Sequence, residues 1–266
     1  MIILPSPARI VGYSLLVILA VLALAGPEAF NLDPVRQSLR NTLLPPSATH
    51  VLGTDHLGRD MAARLLSGAQ LSLSLALLAV VSASVFGTTM GIISAWRGGW
   101  IDRAINTLSD SILALPGLLL VLMMAAISPG SWWVLYVGIS LTLWVEYFRF
   151  TRQRTRILLD HPSVQASRLL GFGYPHILKR HIFPELMPGL FTLAAFGAAT
   201  SVTAMAALGF VSVGLRPPTA EWGVMMTQLL PYWREAPWLI LQPIACLVVT
   251  VLALHLSVGS LTKPNI

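Results

Sequence analysis

The stretch from Ile10 to Ala25 is sixteen residues without one charged side chain, and comparable apolar runs recur at 70–95, 111–127, 132–147, 189–215 and 238–258. A backbone placed in hydrocarbon must satisfy its own hydrogen bonds, so such a chain can form only helices or a closed barrel. Barrel strands read as segments of roughly ten residues with alternating polarity. These runs are longer and continuous, which selects helices. Only 11% of the residues are charged, against about a quarter in soluble domains. The expectation is an all-α, polytopic membrane protein with six transmembrane helices. A first helix and external loop (residues 1–69) precede a five-helix core (70–266), which includes a polar cytoplasmic loop at 149–188.

Arg9 ahead of the first run and Ala23-Leu24-Ala25 behind it also resemble a cleavable leader, but five further runs favour an uncleaved first helix. Six crossings put both termini on one side. Eleven of the seventeen Lys and Arg residues fall on that side, seven of them between Arg149 and Arg180; the other six share the opposite side with six Asp and Glu residues, so the loops there carry no net charge. Positive charge marks the cytoplasmic face. Both termini and the basic stretch are therefore expected in the cytoplasm, and the net charge of +6 is topogenic rather than a sign of nucleic-acid binding. Within the runs, Gly87 and Gly91 permit close helix packing inside the subunit. Pro116 is placed to kink the third span. The fifth run, rich in Ala, Gly, Ser and Thr, suits close packing or a pathway lining.

No enzyme constellation is present. HExxH, GxSxG and Cys/His ligand clusters are missing, and neither Lys179 nor Lys263 follows a glycine as a P-loop lysine must. Cys246 stands alone and reads as a packing residue. Ionisable groups inside spans mark ion-coupled carriers. The candidates here are His255, read as a hydrogen-bonded packing residue, and Glu146, read as an interfacial partner of Arg149. His50 and His56 are weak candidates for nickel or zinc ligands beside Asp55 and Asp60, because their six-residue separation does not match one helix face.

The stretch Asp160–Pro188 is a basic interruption with two short helix patterns. Pro162 can open a helix through Leu170, with Gly171 where it would end. After a Phe172-Gly173 turn, Pro175 can open a second helix through His181, which Pro184 and Pro188 are expected to interrupt.

Three stretches, in this order, resemble one family. They are Leu52 to Asp60 (LGTDHLGRD), then Gln165-Ala166-Ser167 with Gly171 and His181-Ile182-Phe183-Pro184, and finally Pro217 to Met226 (PPTAEWGVMM). The second is similar to the EAA loop of ABC importer permeases. Together the three resemble the second permease subunit of the dipeptide, oligopeptide and nickel ABC importers.

The resemblance implies a type I ABC importer permease fold with a cytoplasmic coupling helix. It implies a homologous second permease, two separate ATPase subunits that use ATP and Mg, and an extracytoplasmic substrate-binding protein; this chain would bind no cofactor itself. Gln165, Ala166, Ser167, Arg168, Leu169, Leu170 and Gly171 would form the ATPase-coupling element, the two leucines as apolar anchors. Gly53, Asp55, Gly58, Arg59 and Asp60, with Trp222, Gly223 and Met225, would serve as an external gate or docking face. Gln165 departs from the family's Glu, and Ser167 from its second Ala. The substrate would be nickel, a metal chelate or a peptide, and the wording of 219–225 leans toward nickel. The rival functions are a stand-alone secondary transporter or channel that depends on His255 or Glu146, and a membrane scaffold whose basic stretch binds anionic lipid.

Overall fold

The structure, a computed structural model, describes residues 7–29 and 33–258; Lys263, counted above among the cytoplasmic charges, lies outside them. The described residues form helices and connecting loops, with one isolated bridge between Thr54 and Asp60 in place of any strand. Helix α1 spans Pro7–Ala29, α2 Met61–Arg97, α3 Gly99–Leu113, α4 Gly117–Ile127 and α5 Trp132–Leu159. Then come α6 (Pro162–Leu169), α7 (Tyr174–Ile177), a π-helical segment (Leu178–Ile182), α8 (Phe183–Phe210), α9 (Trp222–Leu229) and α10 (Pro237–Val258).

Several boundaries differ from those read in the sequence, each for a physical reason. Helix α2 begins at Met61 rather than residue 70, because the Asp60 carboxylate accepts from the Ala63 N–H at 2.9 Å and caps it, satisfying an orphan donor. Its 37 residues reach about 55 Å, more than a bilayer of about 45 Å with headgroups. Helix α5 does not end near Tyr147 but runs to Leu159. Pro184 and Pro188 do not interrupt the following helix, which continues from Tyr174 to Phe210. The wider π turn at Leu178–Ile182 ends two residues before Pro184 and absorbs its missing N–H and its ring. The fifth run therefore begins earlier and ends at Phe210 instead of residue 215.

The third run is broken more deeply than a kink. Helices α3 and α4 meet at 78° across Ala114–Pro116. The 11 residues of α4 reach about 16 Å, too short to cross alone. By length and apolarity, four helices among the described residues can span a membrane (α1, α2, the continuous 174–210 helix and α10), and a fifth if the bent pair counts as one. The expected sixth, α5, misses that measure. Arg149, Arg152, Arg154 and Arg156 occupy its second half.

Helices α2 and α5 run parallel along a tight seam. A Cβ on Gly87 would lie 2.4 Å from the Trp144 carbonyl, and one on Gly91 2.8 Å from Thr151. The glycine pair thus serves packing within the subunit, as expected. Helix α8 lies antiparallel to this pair, Gly197 meeting Val80, Leu143 and Tyr147. At one end of the bundle Gly12 of α1 abuts Ala253–Ser257 of α10, and at the other Gly26 abuts Leu66. The start of α1 and the end of α10 therefore share an end.

Candidate functional site

The extensions of α2, α5 and α8 converge on α6. Pro162 occupies its first turn, and the His161 ring nitrogen accepts from Ser163 N–H at 3.4 Å. Its other end closes on Gly171, whose φ of +79° is the left-handed conformation that favours glycine. There the Phe172 and Gly171 N–H groups bond to the Ser167 and Arg168 carbonyls at 3.1 and 3.0 Å.

Three of its side chains each reach a different long helix. Gln165 Nε2 donates to the Leu159 carbonyl at the end of α5 at 2.9 Å. Ser167 Oγ lies 2.9 Å from His181 Nε2, on the π segment that leads into α8. The Arg168 guanidinium sits 5.8 Å over the Trp96 ring near the end of α2. Val164 and Ser167 are buried. Ala166 lies within α6, where its carbonyl accepts from Leu170 N–H at 3.0 Å. Leu169 and Leu170 point outward, 90% and 75% exposed, next to the half-exposed Phe172 and the exposed Tyr174. The result is a braced helix with an apolar tip.

Of the seven basic residues between Arg149 and Arg180, four make ion pairs among the described residues. Arg152 makes a forked contact with Asp102 at 2.6 and 2.8 Å, Arg156 joins it at 2.6 Å, and Ser94 Oγ donates to the same carboxylate at 2.5 Å. Arg149 pairs with Asp110 at 2.7 Å and Arg154 approaches Glu185 at 3.6 Å. Four arginines of the basic stretch are therefore consumed within the subunit, tying α3 and α8 to α5. The acid Asp102 was not recognised in the sequence. The spacing Arg149–Arg152–Arg156 is the 3–4 pattern of one helix face, a signal that such a face needs an acidic counterpart. The pairing expected between Glu146 and Arg149 does not form. Glu146 instead lines a cavity with His255, whose Nδ1 donates to the Val251 carbonyl at 2.7 Å.

At the opposite end, the 52–60 stretch folds into a buried latch. The Asp55 carboxylate accepts from the backbone N–H groups of Leu57 and Arg59 at 2.8 and 2.9 Å, from Arg59 Nε at 2.6 Å and from Arg64 Nη1 at 2.5 Å. Both guanidiniums also reach Gln228 Oε1 on α9, at 3.3 and 2.8 Å. Burial would push the Asp55 carboxyl up. The Arg59 N–H and the charges of Arg64 and Arg59 hold it below the ordinary carboxylate range. Gly53 and Gly58 have φ of +81° and +68°, and a Cβ on Gly58 would overlap the Ser38 carbonyl.

Trp222 is fully buried, its Nε1 donating to the Leu65 carbonyl at 3.2 Å. Gly223 lies against the Ala206 carbonyl, and Met225 is buried. These residues weld α9 to α2 and α8. Glu221 caps α9 by accepting from Val224 N–H at 3.0 Å, and burial pushes its carboxyl up to about 6. His50 Nδ1 lies 2.8 Å from Asp60, while His56 stacks on Tyr232 at 5.3 Å. The two histidines have separate partners, and among the described residues no group of three His, Cys, Asp or Glu side chains could hold a metal ion.

The family described as "binding-protein-dependent transport system inner membrane component" matches residues 87–263. The chain is 31% identical to the dipeptide transport system permease protein of Alkalihalophilus pseudofirmus, over 93% of this chain and 81% of that protein. It is 30% identical to the probable D,D-dipeptide transport system permease protein of Escherichia coli, over 94% and 84%. To the di/tripeptide transport system permease protein of Pseudomonas aeruginosa it is 33% identical, over 92% and 83%. None of these three is described as a nickel permease. Among solved structures, the inward-facing MetNI methionine ABC transporter matches with a TM-score of 0.59 at 19% identity, covering 74% of this chain and 93% of that one. That likeness shows a shared fold.

Proposed function

Because this chain belongs to the family of binding-protein-dependent transport system inner membrane components, we propose that it is the permease subunit through which an ATP-driven importer passes di- and oligopeptides. The permease itself is not an enzyme, and ATP is hydrolysed by separate subunits. In this reading two such ATPases flank the complex. A homologous second permease completes the pathway, and an extracytoplasmic binding protein delivers the solute. The peptide relatives favour peptide over the nickel suggested by the 219–225 wording. The positive charge at the α6 end favours a cytoplasmic location for that end and for both termini. Six crossings follow if the bent α3–α4 pair and α5 each span the membrane.

One observation carries the reading: α6 contacts α2, α5 and the π segment that leads into α8 at once, through Arg168–Trp96, Gln165–Leu159 and Ser167–His181. A push on α6 therefore moves three long helices as a body, which is what rocking between two access states requires. The exposed Leu169 and Leu170 supply an apolar seat for the ATPase, and the buried outer latch gives the opposite end a rigid rim. Self-pairing of Arg149, Arg152, Arg154 and Arg156 weakens the lipid-scaffold alternative, since those charges are already satisfied.

Purification of the chain with its genomic neighbours, followed by reconstitution and uptake of labelled dipeptide, tests the reading. Co-purification of a P-loop ATPase and ATP-dependent dipeptide uptake are expected. Uptake by this chain alone, without an ATPase, would overturn it.

A further inference from the structure

A cavity of about 490 Å³ opens between α4, α5, α8 and α10. Most of its lining is apolar. Its polar groups are Glu146, His255, Thr142, Thr200 and Thr203. Four of the five present acceptors to its interior, while the Thr200 hydroxyl, with no hydrogen bond among the described residues, can donate or accept. Thr142 and Thr203 spend their hydroxyl protons on the Ile139 and Ala199 carbonyls of their own helices, each at 2.8 Å, so they offer lone pairs to the interior. His255 donates from Nδ1 to Val251, and in the neutral imidazole Nε2 is then an acceptor. Glu146 makes no hydrogen bond or ion pair among the described residues, and when ionised it accepts only. An acceptor-rich lining around one unpaired carboxylate suits a donor-rich cationic head group.

We propose that this cavity is a station for the solute in transit, at which the Glu146 carboxylate takes the α-ammonium group of a peptide. The proposal rests on the reading above that the chain carries peptides. An ammonium presents three N–H donors, and the carboxylate with the Thr142, Thr203 and His255 acceptors can receive them in turn. A free carboxylate in such surroundings is costly unless it meets an opposite charge, and the passing solute supplies one. A divalent cation fits less well, because it needs several ligands at bonding distance and the described residues provide no group of three. Phe196 stacks edge-on with His255 at 5.2 Å and holds the ring at the cavity wall.

The test uses the complete importer in proteoliposomes with saturating binding protein and labelled alanyl-alanine. Glu146→Gln is expected to cut uptake about ten-fold or more, the effect of losing one charge-assisted contact. Glu146→Asp should retain most of the uptake. Complex yield and ATP hydrolysis stimulated by binding protein should stay at wild-type levels in both. Wild-type uptake in Glu146→Gln would overturn the proposal. So would loss of complex assembly, which would assign the carboxylate to an ion pair with the companion permease. Wild-type importer that moves no dipeptide at all would instead overturn the peptide reading on which the site depends.

Discussion

Asp55→Asn isolates the charge of the outer latch from its shape. The substituted side chain keeps Oδ1 for the Leu57 and Arg59 N–H groups, but turns an NH₂ toward Arg59 Nε and Arg64 Nη1, which now sit 2.6 and 2.5 Å from Oδ2. Donors then face donors, and two guanidiniums in a site 1–2% exposed share only Gln228 Oε1. Removing one partner of a buried ion pair costs about 3–5 kcal/mol. In a chain of this length that lowers the midpoint of thermal unfolding by roughly 10 °C. The purified complex in detergent, followed by circular dichroism, gives the midpoint. Asp60→Asn is the control: Asn caps a helix as well as Asp does, the part-exposed His50 ring can turn a lone pair to the new NH₂ in place of its 2.8 Å contact with Oδ2, and the midpoint should stay within about 2 °C of wild type on the same scale. A similarly small shift for Asp55→Asn would refute the reasoning, because the guanidiniums would then be compensated by something other than this carboxylate. The folded-state pKa of Asp55 is lowered from 3.8. Its contribution is therefore complete above that value and is lost as pH falls through the folded one, so the Asp55→Asn deficit should be constant from pH 5 to 8.

Gln165→Glu removes the donor to the Leu159 carbonyl and brings a carboxylate to the negative end of α5. It should cost about 1–2 kcal/mol and speed hydrogen exchange across 158–166, more so than Gln165→Ala. Glu221 has the opposite linkage sign to Asp55. Its pKa rises from 4.5 to about 6 on folding, so stability should fall as pH climbs between those values, by about 2 kcal/mol in all. Glu221→Gln should flatten that slope in unfolding midpoints measured at pH 4.5, 5.5 and 7. Gly223→Ala would put a methyl 2.0 Å from the Ala206 carbonyl. It should force α9 off α8 and abolish recovery of folded complex on size-exclusion chromatography.

What could be read from the sequence was local. Pro162 and Gly171 bracket α6 because each acts through its own backbone geometry, and the apolar runs announce helices without any knowledge of their neighbours. The partners were not legible, because the contacts join residues far apart in the chain: Asp102 meets Arg152 and Arg156 across some fifty residues, and Asp55 shares two arginines with Gln228 across more than 160. The arginines of α5 looked like loop residues, because a helix that leaves the bilayer loses its apolar signature while keeping its 3–4 spacing. Pro184 reads as a helix breaker in the sequence because a π turn leaves no mark in composition. The 52–60 and 217–226 motifs are visible as motifs, but the burial of Asp55, Arg59 and residues 220–226 is not. They act by fixing α9 against α2 and α8. Gln165, a departure from the family's acid, turns out to need its NH₂, since it holds the end of α5.

In the proposed function α6 is the point where movement enters the bundle. Leu169→Asp combined with Leu170→Asp alters only exposed side chains, so the chain should unfold at the wild-type temperature. In the reconstituted importer, ATP-dependent uptake should drop to background and the ATPase subunits should no longer be retained on the purified permease. Uptake at the wild-type rate, with the ATPases still bound, would contradict the assignment of α6 as the coupling element.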